Sequence, residues 1–182
     1  KASYLPSVIQ TTAPISGGSS GSALINALGE VIGVITSQHD NGQNLNFAIT
    51  IDHIRRNFPR LINAEPGEIA FVQNASQGMS MIARMVASAD DHILSNANEF
   101  PSVTLPWLNQ DVDVSFLEPA ADGMLDLADA AALVRANSVA FAASHIQYSS
   151  GFRYDLDALS SFCAGHGLAL AVDATQSFGA HP

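Results

Sequence analysis

The sequence predicts a mixed fold, in which a β-rich first segment is followed by a three-layer α/β domain with a mostly parallel sheet. Three observations lead to this prediction. Up to about Ile51, short apolar runs are broken by Gly, Asn and Pro, with no helical period. From about Asp52, strand-like and helix-like segments alternate, which is typical of parallel α/β sheets. The 182 residues, 47% of them hydrophobic, are enough to bury a core.

The first segment contains several short strand-like runs. "IQTTAPI" has a β-like pattern, and "ALINALGEVIGVI" reads as two apolar strands around the tight turn "NALGE". This pattern is typical of half a β-barrel or a sandwich. We place the boundary between the two segments near residues 52–57, which gives predicted domains of 1–54 and 55–182.

The second segment alternates between helix-like and strand-like hydrophobic patterns. "DHIRRNFPRLI" suits a helix, "GEIAFVQ" a strand, and "SQGMSMIARMVAS" an amphipathic helix with polar residues at its start. "DHILSNA" and "DVDVSFLEP" follow as strands and "LDLADAAALVRAN" as a helix. "SVAFAASHI" and "LALAVDATQ" are predicted buried strands on either side of the helix "DLDALSSFCAGHG", which closes at Gly167.

Composition excludes several classes of function. Seven basic against 17 acidic residues give a formal charge of −10, which repels nucleic acid and anionic membrane surfaces. Cys163 is the single cysteine, so no internal disulfide can form, and its place inside a predicted helix favours a buried apolar role. The six histidines are scattered and neither HExxH nor CxxC occurs, so we expect no metal site.

The Gly/Ser stretch Ser16–Ser22 poses the choice between a linker and a catalytic loop. The strand-like runs on both sides argue against a linker. "APISGGSSGSALINALGEVIGVI", with the later "NLNFAITI", resembles the nucleophile region of trypsin-like serine proteases of the high-temperature-requirement type. The resemblance implies Ser20 as the nucleophile and the N–H groups of Gly18 and Ser20 as the oxyanion hole.

A serine nucleophile also needs a base. In this protease family the His and the Asp lie upstream of the serine, whereas no His or Asp precedes Ser20 here. We therefore expect a disarmed half-barrel. A Gly/Ser turn without any chemistry stays open as the alternative.

Four motifs carry a second resemblance, from about Arg55 to Pro182. "EIAFVQNASQGMSMIA", "NEFPSVTLPW", "SHIQYSSGFRYDL" and "LALAVDATQSFGAHP" together resemble the large domain of class V aminotransferases, the group that includes cysteine desulfurases. The resemblance implies the cofactor pyridoxal 5'-phosphate (PLP). Its phosphate would lie at a helix N-terminus, on Ala75, Ser76 and Gln77.

The resemblance also assigns residues to the PLP ring. Phe100 would stack on the ring, and Asp173 would pair with the protonated ring nitrogen. Gln176 would contact the phenolic oxygen, and His145 falls on a family position near the cofactor. Asp173 as a strand-end cap and His145 as a core histidine are the alternatives. Tyr148 stands where cysteine desulfurases carry Asn, which leaves the subgroup open.

The lysine that forms the Schiff base with PLP follows the "VDATQ" acid by a few tens of residues in class V enzymes. Lys1 is the single lysine of this sequence, and the chain opens on it rather than on Met. We therefore expect a chimera of a protease fragment and a class V aminotransferase-like fragment, catalytically incomplete as given. A trypsin-like endopeptidase using Ser20 and a non-catalytic binding or scaffold protein stay open as alternatives.

Partners and location follow from the same features. The expected substrate is a small amino-acid-like molecule or a peptide, and no nucleic acid or membrane is expected as a partner. Unpaired sheet edges favour homodimerisation or aggregation. No signal peptide and no apolar run of the ~20 residues that a bilayer needs is present. We expect a cytoplasmic chain, although the protease-like part would suit the periplasm.

Overall fold

A computed structural model describes residues 7–13, 22–38, 46–72, 74–120 and 125–178. The chain divides into two compact units, Lys1–Phe71 and Val72–Pro182. Each unit is described by itself below. The domain boundary expected from the sequence, between residues 54 and 55, stays a prediction.

The first unit contains an antiparallel sheet with the strand order β1-β4-β3-β2. Its strands are β1 (Val8–Thr11), β2 (Ala23–Ile25), β3 (Val31–Gln38) and β4 (Asn46–Thr50). The predicted turn between β2 and β3 is confirmed. Asn26 Oδ1 accepts hydrogen bonds from the N–H groups of Leu28 and Glu30, both at 2.9 Å. Gly29 takes a φ of +82°, which glycine adopts without the steric cost that a Cβ brings.

This sheet does not show the predicted trypsin-like half-barrel. Within the described residues, β1 and β2 lie at opposite edges of the sheet and do not pair, so the sheet is open. The prediction of a β-rich first segment holds, since four strands lie between Val8 and Thr50. The unpaired edges are the ones that the sequence analysis connected with association.

The last part of the first unit, from Ile51 to Phe71, is less regular than predicted. The expected helix over 52–62 is α1 (Ile51–Asn57), capped by Thr50, followed by a short 3-10 helix at Pro59–Leu61. The predicted strand "GEIAFVQ" is wrong. Pro66–Glu68 forms a 3-10 helix, and residues 69–72 belong to no strand. A capping box explains the difference, because the Glu65 N–H donates to Glu68 Oε2 at 2.7 Å and so closes the backbone locally.

We expect Gly33→Ala to destabilise the antiparallel sheet by about 1–3 kcal/mol. A Cβ at Gly33 would lie 2.7 Å from the carbonyl oxygen of Ile49 and 3.2 Å from the Cβ of Ala48, so the paired strands must move apart. Hydrogen exchange across β4 measures the effect, and protection of the second unit should stay unchanged. Gly67→Ala is the matched control, since its Cβ would meet nothing within 4 Å. Equal protection of β4 in both variants would contradict this account.

The second unit is a parallel α/β domain, as predicted. Its elements are α2 (Ala75–Val86), β5 (His92–Asn96), α3 (Pro101–Leu108), β6 (Asp113–Leu117), α4 (Leu127–Leu133), β7 (Ser138–Ser144), α5 (Leu156–His166) and β8 (Ala169–Asp173). All strand pairs are parallel, in the order β6-β5-β7-β8. Sequence reasoning missed α3. Its start at Pro101 is a recognised helix signal, whereas a proline inside the run, Pro106, disfavours a helix.

The three layers follow from the alternation of side chains along β7. Ala140 and Ala142 face the cluster that Met79 of α2 and Trp107 of α3 fill. Phe141 and Ala143 face the opposite cluster, which α4 and α5 cover. A strand buried on both faces explains why this run is apolar without interruption. None of the helices in the described ranges is long and apolar enough to cross a membrane.

Strand order creates a natural crevice at one end of the sheet. From β5 the chain runs to β6 on one side, and it then returns to β7 on the other side of β5. The connections that follow β5 and β7 therefore diverge at the carboxyl ends of these strands. Ligands bind at such switch points in open α/β sheets.

Candidate functional site

A cavity of about 450 Å³ lies at this end of the parallel sheet. Its volume is within the range of small-molecule and cofactor sites. Four parts of the second unit form it: the start of α2, the segment after β5, the segment after β7, and the end of β8. The lining residues are Asn74, Ala75, Ser76, Phe100, Ser102, Ser144, Tyr148, Asp173, Thr175 and Gln176.

The N-terminus of α2 forms one wall of the cavity. Asn74 caps the helix, and its Oδ1 accepts a hydrogen bond from the N–H of Gln77 at 2.9 Å. The next intrahelical bond runs from the Gly78 N–H to the Asn74 carbonyl, so helix geometry gives the N–H groups of Ala75 and Ser76 no acceptor in the helix. No acidic residue lies in the first turn of α2. This wall therefore suits an anion.

Asp173 forms another wall, at the last position of β8. The strand is parallel to β7, and Asp173 pairs with Ser144 in the sheet register. Asp173 Oδ1 accepts a hydrogen bond from the N–H of Thr175 at 2.8 Å, which fixes the carboxylate at the strand end. The side chain is half-buried and lines the cavity, so it can accept a hydrogen bond from a cationic ligand group.

Two aromatic rings line the cavity on the side of α3 and β7. Phe100 is 47% exposed, so its ring is accessible from the cavity that it lines. It meets the ring of Tyr148 edge to face, with centroids 5.3 Å apart and an interplanar angle of 81°. The Phe100 face can therefore stack against a flat ligand.

The predicted cofactor residues are brought together in part. Five of them, at Ala75, Ser76, Phe100, Asp173 and Gln176, line the cavity.

The other two, Gln77 and His145, are adjacent in sequence to lining residues but are not among them. The Gln77 backbone N–H is engaged by the helix cap, and the backbone N–H of His145 donates to the Asp173 carbonyl at 2.9 Å. The roles assigned to all seven residues stay predictions.

Sequence reasoning missed five lining residues: Asn74, Ser102, Ser144, Tyr148 and Thr175. A signal existed for two of them. Asn before a helical run is a strong cap signal, and Ser144 directly follows a buried strand, where ligand contacts concentrate in parallel sheets.

Cys163 lies in the core, away from the cavity. It is buried in the cluster on the face of β7 that carries Phe141 and Ala143. Burial raises the pKa of its thiol to about 11. We expect a disulfide exchange reagent at pH 8 to label native Cys163 at least ~100-fold more slowly than in the unfolded chain. Rapid stoichiometric labelling of the native chain would contradict a structural role for this thiol.

The predicted protease residues lie outside the described residues, so the structure gives no account of Ser20, Gly18 or Lys1. Within the described ranges, no group of three or more His, Cys, Asp or Glu side chains could hold a metal ion.

The second unit has the fold of PLP-dependent transferases. The apo cysteine desulfurase of Thermococcus onnurineus NA1 superposes with a TM-score of 0.61 at 26% identity, over 68% of this chain and 32% of that one. The cysteine desulfurase CsdA of Escherichia coli, at 22% identity, has the same fold with a TM-score of 0.63 over 69% of this chain and 34% of its own.

The chain belongs to the aminotransferase class-V family, whose profile matches residues 25–182. The cysteine desulfurase IscS of Proteus mirabilis (strain HI4320) is 30% identical over 139 residues, which are 72% of this chain and 34% of that protein. The chain thus spans about a third of the length of the curated relatives that it matches.

PLP is the cofactor of this class. One structure with the same fold, a variant of C-DES, carries glycine covalently linked to the PLP cofactor.

The comparisons do not support the trypsin-like interpretation of residues 1–51 or the expected chimera. The class V match begins at residue 25, inside the segment that the sequence analysis assigned to a protease. The resemblance rested on one Gly/Ser loop and its flanking strands. Such a stretch is short and low in complexity, so it discriminates poorly between families.

Proposed function

We propose that this chain binds PLP in the cavity of the second unit and forms the cofactor-binding part of a class V enzyme acting on a small amino acid. The observation that supports this most directly is that two different binding groups line the same cavity. The α2 N-terminus suits a phosphate, and the Asp173 carboxylate suits a protonated nitrogen.

The residues present fit the cofactor. The N–H groups of Ala75 and Ser76 would hold the phosphate. The exposed ring of Phe100 would cover one face of the pyridine ring. Gln176, on the exposed side of the cavity, would donate to the phenolic oxygen.

Asp173 has the central chemical role in this proposal. When bound, PLP supplies an electron sink, which works best while its ring nitrogen is protonated. Asp173 would hold the proton on that nitrogen through a charge-assisted hydrogen bond. The hydrogen bond from the Thr175 N–H to Oδ1 keeps the carboxylate in place at the cavity wall.

The substrate proposal rests on the relatives. Three of those named above are cysteine desulfurases, C-DES is a cystine C–S lyase, and a further structure with this fold, SspA, was solved in complex with cysteine. A small amino acid is therefore the substrate class that we propose. Tyr148 also lines the cavity, where its ring packs edge to face against Phe100.

The experiment compares PLP with pyridoxal, which lacks the phosphate. We expect the full chain to bind PLP at least about tenfold more tightly, because the α2 N-terminus recognises the phosphate. Isothermal titration of both ligands measures the difference. Equal affinities, or no binding of either ligand, would overturn the proposal.

One variant sharpens this test. Ser76→Glu places a carboxylate at the N-terminus of α2, where it repels a phosphate but stabilises the helix dipole, so folding is preserved. We expect the preference for PLP over pyridoxal to disappear. Ser160→Glu, at an exposed position of α5, adds the same charge away from the cavity and should leave the preference unchanged.

A further inference from the structure

A buried carboxylate lies directly behind the cavity wall. Glu99 is 7% exposed, and five donors converge on it. Its Oε1 accepts from the N–H of Phe100 at 2.8 Å and from the Ser144 hydroxyl at 2.5 Å. Its Oε2 accepts from Asn96 Nδ2 at 3.0 Å, from the Ser144 N–H at 2.8 Å and from Gln147 Nε2 at 2.8 Å.

This carboxylate is saturated by neutral donors. Two carboxylate oxygens offer about four acceptor sites, and five hydrogen bonds fill them. The ion pair found in the described part of the second unit joins Arg135 to Asp113 and does not involve Glu99. A buried charge costs free energy unless it is hydrogen-bonded, and an apolar residue at this position would leave the five donors without their acceptor. Glu99 has no free acceptor with which to bind a ligand directly.

The five bonds join segments that are far apart in sequence. Asn96 ends β5, Phe100 precedes α3, and Ser144 ends β7, 45 residues after Glu99. Phe100 and Ser144 both line the cavity. Gln147 precedes Tyr148, whose ring contacts Phe100. The network therefore spans the point where the connections after β5 and β7 diverge.

We propose that Glu99 is a positioning residue, which holds the Phe100 wall and the Ser144–Tyr148 wall of the cavity at one fixed separation. The inference rests on the proposed function, because it is the PLP ring that these walls would enclose. Glu99 acts through the backbone of Phe100 and Ser144 and through the Gln147 amide. It does not touch the ligand.

An outer hydrogen bond sets the orientation of the network. Asn96 Oδ1 accepts from the Tyr154 hydroxyl at 2.7 Å, so the Asn96 amide turns its Nδ2 toward Glu99. Burial, and then the negative charge of Glu99, raise the pKa of the Tyr154 phenol well above its usual range. Tyr154 therefore stays a donor at neutral pH, and the order of donors and acceptors is fixed.

The test uses the full chain with Glu99→Gln, which keeps the size of the side chain but replaces one acceptor oxygen by an NH₂ donor. We expect the dissociation constant of PLP to rise about tenfold, because hydrogen bonds to a charged acceptor are lost behind the ring wall. Ser95→Ala is the matched control. Ser95 directly precedes Asn96 in β5. The variant removes the buried hydrogen bond from the Ser95 hydroxyl to the Ala142 carbonyl and leaves the Glu99 network intact.

A second readout needs no ligand. The sequence contains three tyrosines, so 3-fluorotyrosine gives three fluorine resonances, and Tyr148→Phe assigns the one at the cavity. We expect Glu99→Gln to shift or broaden the Tyr148 resonance, since its contact with Phe100 changes. Ser95→Ala should leave this resonance in place.

Each outcome decides something. Unchanged PLP affinity and an unchanged Tyr148 resonance in Glu99→Gln would overturn the positioning role. If neither the wild-type chain nor its variants bind PLP, but the Tyr148 resonance shifts in Glu99→Gln, then Glu99 positions the walls and the proposed function is wrong. If Glu99→Gln does not fold, Gln147→Met takes its place. It removes one donor to Glu99 together with Gln147 Oε1, a buried oxygen that has no hydrogen-bond partner in the part of the chain that the structure describes. Wild-type affinity and resonance in that variant would also overturn the inference.

Discussion

Asp173→Asn is expected to weaken PLP binding by about tenfold to a hundredfold, the largest effect on binding that this cavity predicts. The substitution preserves shape, and an asparagine oxygen can still accept the hydrogen bond from the Thr175 N–H. It removes the negative charge that would hold a proton on the ring nitrogen. The chain should therefore fold normally and lose affinity, as measured by titration calorimetry.

A ligand analogue isolates the contact. In 1-deaza-PLP the ring nitrogen is replaced by C–H, so nothing remains for Asp173 to pair with. We expect Asp173→Asn to leave the affinity for this analogue almost unchanged. The substitution in the protein and the replacement of the ring nitrogen in the ligand are then strongly coupled. Asp129→Asn, in the exposed first turn of α4, alters the net charge equally and controls for long-range electrostatics. Equal losses for both ligands would mean that Asp173 does not meet the ring nitrogen.

Phe141→Ala is expected to lower the free energy of unfolding of the second unit by about 3–5 kcal/mol. Phe141 is fully buried in the middle of β7. Its ring meets those of Tyr154 and Phe162 edge to face, with centroids 6.2 Å apart in both pairs. Truncation leaves a cavity between the sheet and α5, and it also removes both aromatic contacts.

Urea denaturation of the full chain, followed by the fluorescence of Trp107, measures this loss. Trp107 is the single tryptophan and lies in the core of the same unit. Phe116→Ala is the matched control, because Phe116 on β6 is 37% exposed and less of its area leaves water on folding. A loss of the same size for both variants would contradict the assignment of Phe141 to the centre of the core.

The parallel domain could be predicted because its elements carry strong local signals. The run that became β7 is apolar from Val139 to Ala143, as a strand covered on both faces must be. The helix that became α5 ends at Gly167, which takes a φ of +68° and closes the helix in the left-handed conformation. In these places the local pattern and the tertiary structure agree.

Other features depend on contacts that a local pattern does not contain. Residues 69–72 look like part of a strand, but in the described structure they join no sheet, and the preceding capping box closes the backbone locally. Pro106 lacks an N–H and so removes one backbone hydrogen bond from the α3 helix. Packing of Val103 and Trp107 against the sheet offsets that loss.

The candidate site was predictable only where a family motif agreed with a general rule. The resemblance to class V aminotransferases pointed to the α2 N-terminus and to Asp173, and the preference of helix N-termini for anions and the placement of sites at strand ends agree with it. The network around Glu99 could not be found in this way, because its members are up to 58 residues apart and join only when the sheet forms. The protease interpretation of Ser20 came from a short Gly/Ser loop, and such a loop discriminates poorly between families.

The structure of the full chain with PLP tests the central claim most directly. A crystal soaked or grown with saturating PLP should show the phosphate within hydrogen-bond distance of the Ala75 and Ser76 N–H groups. The ring should lie against Phe100 with its nitrogen at the Asp173 carboxylate. Density for PLP elsewhere on the chain, or an empty cavity at a concentration that saturates binding in solution, would contradict the account.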